Sequence, residues 1–368
     1  MTYEIEEKTL HFKQPAGTSR GVYTTRKIWL VRLSDGEREG VGECAPLPDL
    51  SCDAMDDEEY GKILNKVCEE FCQRQVSQRG QSLMCSANSA HEGQSPCDLF
   101  EALRPYPSML FGLETAWLNM TNGDRLFDTA FSRGEVGIPI NGLVWMGSYE
   151  EMLKRMEEKL EKGFRCVKLK IGAIDFDQEL DLVKRIRERF SHHEVELRLD
   201  ANGAFKYEEA LYKLELLSQY AIHSIEQPIK AGQWAYMAEL CRESPLPIAL
   251  DEELIGVNDP EMKRHMLNII KPRYIILKPS LHGGMIGCRE WIETARDMGI
   301  GSWITSALES NIGLNAIAQF ASDVYGDHIT MPQGLGTGQL FTDNIDMGLE
   351  IRGDMLFIDR RTFLDRRT

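Results

Sequence analysis

Three acidic residues, each at the end of a short apolar segment, are the clearest chemical feature of the sequence. Asp200, Glu226 and Asp251 lie in the segments LRLD, SIEQP and IALDE. Carboxylates brought to one point repel each other unless a cation lies between them. Oxygen ligands without histidine or cysteine favour magnesium or manganese over zinc. The sequence therefore predicts a site for Mg²⁺, with Mn²⁺ as the alternative, held by these three residues.

Three lysines accompany the acids. Lys168 and Lys170 alternate with apolar residues in VKLKI, and Lys278 follows a leucine in IILKP. On strands two and six of an eight-stranded barrel, Lys170 and Lys278 would face each other across a bound substrate. Either amine could then remove the proton on a carbon next to a carboxylate. That carbon proton is very weakly acidic. A difference on the order of 10 pKa units between it and the lysine costs roughly 14 kcal/mol. A divalent cation offsets this cost by stabilising the enediolate charge. Lys170 must be neutral to act as the base, which the like charge of Lys168 favours.

The elements that must position these residues are β-strand/α-helix units. The five apolar segments recur roughly every 25–31 residues, with a helical pattern between each pair. Successive side chains of a strand point to opposite faces, so the apolar residues face outer helices and the charged residues face the interior. The carboxyl ends of the strands are where (β/α) barrels keep their active sites. An α/β fold of the TIM-barrel type is predicted.

The barrel is expected over residues 137–338, after an α+β domain in residues 1–136. In that domain we expect strands at Tyr3–Lys13, Arg26–Leu33 and Gly40–Cys44, helices at Asp57–Arg74 and Ser108–Met120, and a connection over residues 75–96. The predicted barrel helices are Tyr149–Lys162, Asp177–Phe190, Tyr207–Tyr220, Trp234–Glu243, Pro260–Ile269, Met285–Met298 and Ile312–Tyr325. The remaining barrel strands are Ile138–Trp145, Gly301–Ser306 and His328–Pro332. In the tail, residues 339–368, the strand-like Met355–Asp359 is expected to return to the N-terminal domain.

Composition excludes several classes of function. The 368-residue chain carries a net charge of −16, which argues against nucleic acid or an anionic membrane as partner, but not against a small anionic substrate. The polar N-terminus is no signal peptide, and no apolar run reaches the roughly 18 residues of a membrane span. Nine cysteines without zinc-type spacing indicate reduced thiols in a cytoplasmic protein. Whether the chain is a monomer or a homo-oligomer stays open.

The motif series resembles the enolase superfamily, muconate-lactonizing subgroup. The matching residues are Lys168-x-Lys170, Asp200-x-Asn202, Glu226-Gln227-Pro228, Asp251-Glu252 and Lys278-Pro279. The resemblance implies a modified (β/α)7β barrel beneath an α+β capping domain, which a C-terminal segment completes, and one magnesium ion. It also implies that Lys170 is the base, that Lys278 is the lysine on the opposite face, and that the Pro46–Asp49 loop closes over the substrate.

Further motifs are most similar to subgroup members that dehydrate a hydroxycyclohexadiene carboxylate bearing a succinyl arm. They are Arg198-Leu199-Asp200, Thr305–Ser310 and the Gly334–Gly338 run. We therefore expect Arg198, Asn202 and Ser306 to be substrate-binding residues and the substrate to be a small carboxylate.

Other functions share parts of this pattern. N-acylamino-acid racemases and dipeptide epimerases of the subgroup use both lysines as acid and base. Dipeptide epimerases typically carry an Asp-x-Asp pair after the eighth strand, where this chain reads MPQGLG without an acid. That difference argues against a free-amine substrate but not against an N-acyl amino acid. A muconate cycloisomerase is a weaker alternative. A Schiff-base aldolase using Lys278 would leave the three carboxylates unexplained, and a non-catalytic binding protein would be expected to lack a motif residue.

Overall fold

Three antiparallel strands begin the chain: β1 (Thr2–Thr18), β2 (Gly21–Ser34) and β3 (Glu39–Cys44). Helices α1 (Asp57–Val76) and α2 (Pro107–Asn122) follow them. The computed structural model describes residues 1–18, 21–76 and 100–359. Apart from residues 75 and 76, the predicted connection over residues 75–96 lies outside the described residues. The strands and both helices predicted for this part of the chain are confirmed.

Helix α2 is shared between the N-terminal unit and the barrel. Its Leu110 and Leu113 belong to the apolar core beneath the antiparallel sheet, whereas Phe111 belongs to the core of the barrel. The sheet lies so close to the helix that a Cβ on Gly42 would be 1.8 Å from the carbonyl oxygen of Gly112. A side chain at position 42 would push the helix away, so this close approach requires glycine.

Short parallel strands alternate with helices in the rest of the chain. The small strand β4 (Ile138–Pro139) precedes seven parallel strands, which are β5 (Gly142–Val144), β6 (Cys166–Lys170), β7 (Glu196–Asp200), β8 (Ser224–Glu226), β9 (Ile248–Leu250), β10 (Tyr274–Leu277) and β11 (Gly301–Ile304). The helices are α3 (Tyr149–Glu161), α4 (Phe176–Arg189), α5 (Tyr207–Ser218), α6 (Trp234–Glu243), α7 (Pro260–Ile270), α8 (Gly284–Asp297) and α9 (Asn311–Tyr325). Each strand pairs with its sequence neighbours, in the order β11-β10-β9-β8-β7-β6-β5. The predicted α/β barrel is confirmed.

The register of neighbouring strands aligns the charged residues. Lys168 of β6 is paired with Arg198 of β7, and Lys170 is paired with Asp200, which in turn is paired with Glu226 of β8. The alternate positions are apolar and fully buried in the barrel core. The period of two read from the sequence therefore identified which side chains share one face of the sheet.

Two predicted strands differ from the structure. The predicted strand His328–Pro332 is wrong, because the barrel is closed by Gln333 and Gly334, which form parallel bridges to Ile140 and Thr305. Pro332 has no N–H to donate to a ladder, which disfavours a strand there. The predicted strand Ile138–Trp145 is divided, because the Ile140 amide donates to Asp354 whereas the next amide donates to Gln333.

The C-terminal segment contacts both parts of the molecule. Its strands β12 (Leu349–Arg352) and β13 (Met355–Ile358) form a hairpin that pairs with β4. The expectation that Met355–Asp359 returns to the N-terminal domain is therefore wrong. The stretch around Phe341 does reach β1, through bonds of 2.8–2.9 Å that join Lys13 to Leu340 and Thr342 to His11. Within the described ranges, no helix is long and apolar enough to cross a membrane.

Two buried glutamates of the N-terminal unit bind the starts of barrel helices. Glu43 on β3 accepts hydrogen bonds from the backbone amides of Ser310 (2.8 Å) and Gly313 (2.9 Å) at the start of α9. Glu114 on α2 accepts from Met285 (2.6 Å) and Ile286 (2.9 Å) in the first turn of α8. The first amides of a helix lack intrahelical partners, so a carboxylate from the other unit satisfies them. These contacts fix the N-terminal unit on the barrel.

The buried position of Glu43 predicts a pH-dependent stability. Burial raises the pKa of Glu43 to about 7, although the hydrogen bonds from Ser310 oppose this. A carboxyl whose folded-state pKa is raised contributes stability that is full below its unfolded pKa and is lost as pH rises through the folded pKa. Relative to Glu43→Gln, the wild-type free energy of unfolding should fall between pH 5 and pH 8, on the order of 3 kcal/mol.

Urea unfolding at several pH values measures this difference. Glu39→Gln, an exposed change on the same strand, is the matched control and should show no such trend. A difference between wild type and Glu43→Gln that stays constant with pH would mean that Glu43 is ionised throughout.

Candidate active site

The predicted catalytic and metal-binding side chains lie together at the carboxyl ends of five neighbouring strands. They are Lys168 and Lys170 on β6, Asp200 and Glu226 at the ends of β7 and β8, and Asp251 and Lys278 directly after β9 and β10. The three carboxylates are at most 2% exposed. Short strands followed at once by loops leave these side chains at the rim of the sheet, where they meet.

Each lysine is ion-paired with a carboxylate. The Lys168 Nζ lies 3.0 Å from Oδ2 of Asp200 and 2.5 Å from Oε2 of Glu226. The Lys170 Nζ lies 3.1 Å from the same Asp200 oxygen. Lys278 contacts Oδ2 of Asp251. Positive and negative charge are thus interleaved in a buried site, where an uncompensated charge would be costly.

The pKa values of the three carboxylates are shifted in different directions. Burial raises the pKa of Glu226 well above its ordinary value, and the neighbouring Asp200 carboxylate adds to the rise. Burial is the largest influence on Asp251 and acts to raise its pKa, but Lys278 and other neighbouring groups together outweigh it and lower that pKa to about 2. The pKa of Asp200 is likewise lowered, because Lys168 and Lys170 outweigh its burial. Glu226 therefore carries the largest uncompensated cost of ionisation.

The donor set fits a hard divalent cation. Glu226 Oε1 and Asp251 Oδ1 are buried and accept no hydrogen bond from the described residues, which is the state of oxygens available to a cation. Across the described parts of the chain, no group of three or more acidic, histidine or cysteine side chains already converges as a metal cluster. The Lys168 ammonium lies between Asp200 and Glu226 and pairs with both carboxylates.

A cavity of about 510 Å³ opens beside these residues. One part of its wall contains the predicted catalytic lysines, Asp200 and Asn202, and other lining residues are apolar, namely Leu47, Leu50, Trp145 and Leu308. Leu47 belongs to the loop after β3 and Leu308 to the loop after β11. A small molecule with a charged end and an apolar body would match this division.

Two of the three predicted substrate residues line this cavity. Asn202 accepts a hydrogen bond from Lys170 Nζ at 2.8 Å. Ser306 Oγ lies 2.5 Å from Thr337 Oγ1, so one hydroxyl pair from two loops faces the cavity. Both positions agree with the expected face of the barrel.

Arg198 is elsewhere, so its predicted contact with substrate is corrected. It lies one inward position before Asp200 on β7 and is 1% exposed. Its guanidinium donates to Glu196 (2.7 Å) and to the Pro332 carbonyl (2.9 Å), and lies 4.3 Å from the centre of the Trp303 ring. The alternation of side chains along β7 correctly predicted that Arg198 faces the barrel interior, but it did not predict how far below the rim Arg198 lies. Arg198 therefore fills the barrel below the site.

Arg26, which the sequence did not single out, joins the two loops of the apolar wall. It is 3% exposed, and its guanidinium donates to the carbonyls of Ala45, Pro46 and Leu308. Leu308 has a φ of 66°, an unfavourable conformation for a residue with a side chain. The arginine therefore holds a strained loop residue beside a distant loop. In sequence it is one of several charges in RKIWLVRL, and nothing local marks it as buried.

The chain is similar in sequence to known protein families. Residues 151–347 match the enolase C-terminal domain-like family, and residues 18–86 match the MenC N-terminal domain. An o-succinylbenzoate synthase of Desulfotalea psychrophila is 46% identical, covering 97% of this chain and 98% of that protein. The chain belongs to the o-succinylbenzoate synthase family of the enolase superfamily. The resemblance inferred from the motifs is confirmed, as is the modified barrel with a capping domain.

The similarity extends to solved structures and to a relative with a different activity. The crystal structure of MenC from D. psychrophila has a TM-score of 0.81 at 41% identity, covering 97% of this chain and 99% of that chain. An N-succinylamino acid racemase of Thermus thermophilus is 30% identical and covers 80% of this chain and 75% of the racemase. A dipeptide epimerase from Enterococcus faecalis, crystallised with Mg and L-Leu-L-Tyr, shares the fold with a TM-score of 0.77 at 17% identity, over 97% of this chain and 96% of that chain.

The role of Arg26 predicts a local change when it is replaced. In Arg26→Met, three buried carbonyls lose their donor, so the loops after β3 and β11 should loosen together. We expect the free energy of unfolding to fall by roughly 2–4 kcal/mol. The amides of Leu47, Ser51 and Ala307, which are hydrogen-bonded within these loops, should exchange at least about tenfold faster.

Hydrogen exchange measured by mass spectrometry resolves the two loops. Arg32→Met, on the same strand but exposed and paired with Glu6, is the control. Exchange that accelerates only in the loop after β3 would contradict a connection between the loops.

Proposed function

We propose that the chain is an o-succinylbenzoate synthase. It would dehydrate 2-succinyl-6-hydroxy-2,4-cyclohexadiene-1-carboxylate to 2-succinylbenzoate, a step of menaquinone biosynthesis. The 46% identity to an o-succinylbenzoate synthase over nearly the full length of both chains carries this proposal. The cavity supports it, because three lysines line one part and apolar side chains line another, matching a carboxylate on a six-membered ring. All seven described cysteines are free thiols, which supports the proposed cytoplasmic location.

In the proposed mechanism Lys170 is the base. Its neutral amine takes the proton from the carbon that bears the carboxylate, and the electron pair of that C–H bond is first delocalised into the carboxylate. The pair then forms the new ring double bond as the hydroxyl leaves. The protonated Lys170 then donates its proton to the departing hydroxide, so water is released and the amine is restored. The product ring is aromatic, which makes the elimination intrinsically easy.

The other charged residues would hold the substrate and its developing charge. Asp200, Glu226 and Asp251 would hold Mg²⁺, which supplies positive charge next to the substrate carboxylate when bound. The Lys278 ammonium, kept charged by Asp251, would face the ring from the opposite wall and stabilise the anion. Its pKa is raised because Asp251 and Glu226 outweigh its burial. That direction suits an electrostatic role better than a second base.

Racemisation of N-succinylamino acids is the second candidate. It is favoured by the 30% identity to the N-succinylamino acid racemase of T. thermophilus. Lys170 and Lys278 both line the cavity, as an exchange of a proton between two faces requires. The stretch Met331–Gly336 contains no acid to bind a free amine, so an N-acylated substrate fits better than a dipeptide.

Replacement of the base should abolish turnover. In Lys170→Ala, formation of the aromatic product, followed by its ultraviolet absorbance, should fall by about 10³-fold or more, since no other group takes the proton. Lys162→Ala, which removes an exposed lysine lining the same cavity, is the control. A folded Lys170→Ala enzyme that keeps its turnover would refute the assignment. A parallel assay of N-succinylamino-acid racemisation separates the two candidate functions.

Binding of magnesium can be measured without activity. Titration calorimetry of the metal-free protein with Mg²⁺ should show one site, and Asp251→Asn should weaken it by about 100-fold, because a charged ligand is lost. Glu158→Gln, which also lines the cavity, should leave the affinity unchanged. Equal affinity in wild type and Asp251→Asn would remove Asp251 from the ligand set.

A further inference from the structure

Asn202 lies between the proposed base and a second carboxylate. Its Oδ1 accepts a hydrogen bond from Lys170 Nζ at 2.8 Å, and its Nδ2 donates to Oε1 of Glu252 at 3.0 Å. Its backbone amide donates to Oδ1 of Asp200 at 3.0 Å. One residue therefore touches the base, a proposed metal ligand and Glu252, in a part of the barrel that is largely closed to solvent.

Glu252 determines which way the Asn202 amide points. An ionised carboxylate only accepts hydrogen bonds, so it takes the amide nitrogen. The carbonyl oxygen must then face Lys170, where it accepts from either the ammonium or the neutral amine. With the opposite orientation, two donors would meet at Lys170 and an oxygen would meet the carboxylate. The chemistry of the partners thus leaves one favourable orientation.

The backbone on both sides of this contact is fixed in an unusual conformation. Asn202 has a φ of 44° and Gln227, on the next strand end, has a φ of 41°. Gln227 Oε1 accepts from the backbone amides of Asp251 (3.4 Å) and Glu253 (3.2 Å), the two neighbours of Glu252. Positive φ is unfavourable for residues with side chains and persists where the surroundings enforce it. These hydrogen bonds hold the backbone next to the Asn202 amide and the Glu252 carboxylate, which face each other at 3.0 Å.

We propose that Asn202 and Glu252 form a positioning pair for Lys170, rather than a substrate contact and a metal ligand. The inference rests on the proposed function of Lys170 as the base. When the amine is neutral, Asn202 accepts one of its two N–H groups, which restricts the direction of the lone pair that must face the substrate. After proton transfer, the same oxygen retains the ammonium. Among the residues that the structure describes, no side-chain amide contacts Lys278 Nζ, which is instead paired with Asp251, consistent with the different roles proposed for the two lysines.

Glu252→Gln tests the pair with little change in shape. A glutamine can donate as well as accept, so the Asn202 amide can turn and present its nitrogen to Lys170. We expect kcat to fall roughly 10- to 100-fold, with KM and the calorimetric Mg²⁺ affinity each within about threefold of wild type. The deuterium isotope effect on kcat, measured with substrate deuterated at the carbon that loses its proton, should increase because proton transfer becomes slower.

A double-mutant cycle shows whether the two residues act as a unit. Asn202→Ala should lower kcat to a similar extent, and Asn202→Ala combined with Glu252→Gln should be no worse than Asn202→Ala alone. Glu253→Gln, the adjacent buried acid that accepts from Gln227 instead, is the matched control and should leave the isotope effect unchanged. Circular dichroism and unfolding of each variant establish that a fall in kcat is not a loss of fold.

Three results would overturn the proposal. Additive effects in the cycle would mean that Asn202 and Glu252 act separately. A large loss of Mg²⁺ affinity in Glu252→Gln would make Glu252 a metal ligand, and a rise in KM alone in Asn202→Ala would make Asn202 a substrate contact. A wild-type enzyme that does not dehydrate the cyclohexadiene would instead refute the proposed function. The same cycle would then be measured on N-succinylamino-acid racemisation, which also depends on Lys170.

Discussion

Burial of like charges at one point is the constraint on which this structure depends. Three carboxylates at the ends of neighbouring strands cannot stay ionised together in a dry site without opposite charge. Lys168, placed between Asp200 and Glu226, supplies part of it. Glu226 is the carboxylate whose negative charge is least compensated, and its pKa is raised by burial and by Asp200. A divalent cation is the natural counterpart of such a set, because it neutralises several oxygens at once.

The same physical rule holds the capping unit on the barrel. Glu43 and Glu114 are buried acids, and each is directed at the start of a helix whose first amides lack partners. Those helices, α9 and α8, follow the strands that lead to Ser306 and to Lys278. The unit that covers the cavity is therefore attached to the same βα segments that form part of its wall. Buried acids therefore occur both at the strand ends beside the cavity and at the interface, where they attach the capping unit.

The sequence was sufficient for the side chains that a local period determines. Alternation within VKLKI and LRLD gave the inward face of each strand, and the short distance to the following loop gave the level of Lys170 and Asp200. Depth within the barrel was not available for Arg198, because a period of two does not distinguish the layer at the rim from the layer below it. The closing strand was misplaced because bridges from Gln333 to Ile140 span nearly the whole barrel in sequence. Arg26 was missed for the same reason, since its partners lie on loops that only the folded chain brings together.

The apolar part of the cavity wall includes residues from two regions of the chain that are very distant in sequence. The loops that carry Leu47 and Leu308 are joined through the guanidinium of Arg26, which donates to the carbonyls of Ala45, Pro46 and Leu308, so the two loops behave as one surface. Directed evolution that randomises a single loop would sample shapes that the other loop cannot accommodate. When loops are grafted from a relative with a different substrate preference, the loops after β3 and β11 should be transferred together with the arginine. The charged residues at the rim of the barrel would then stay unchanged.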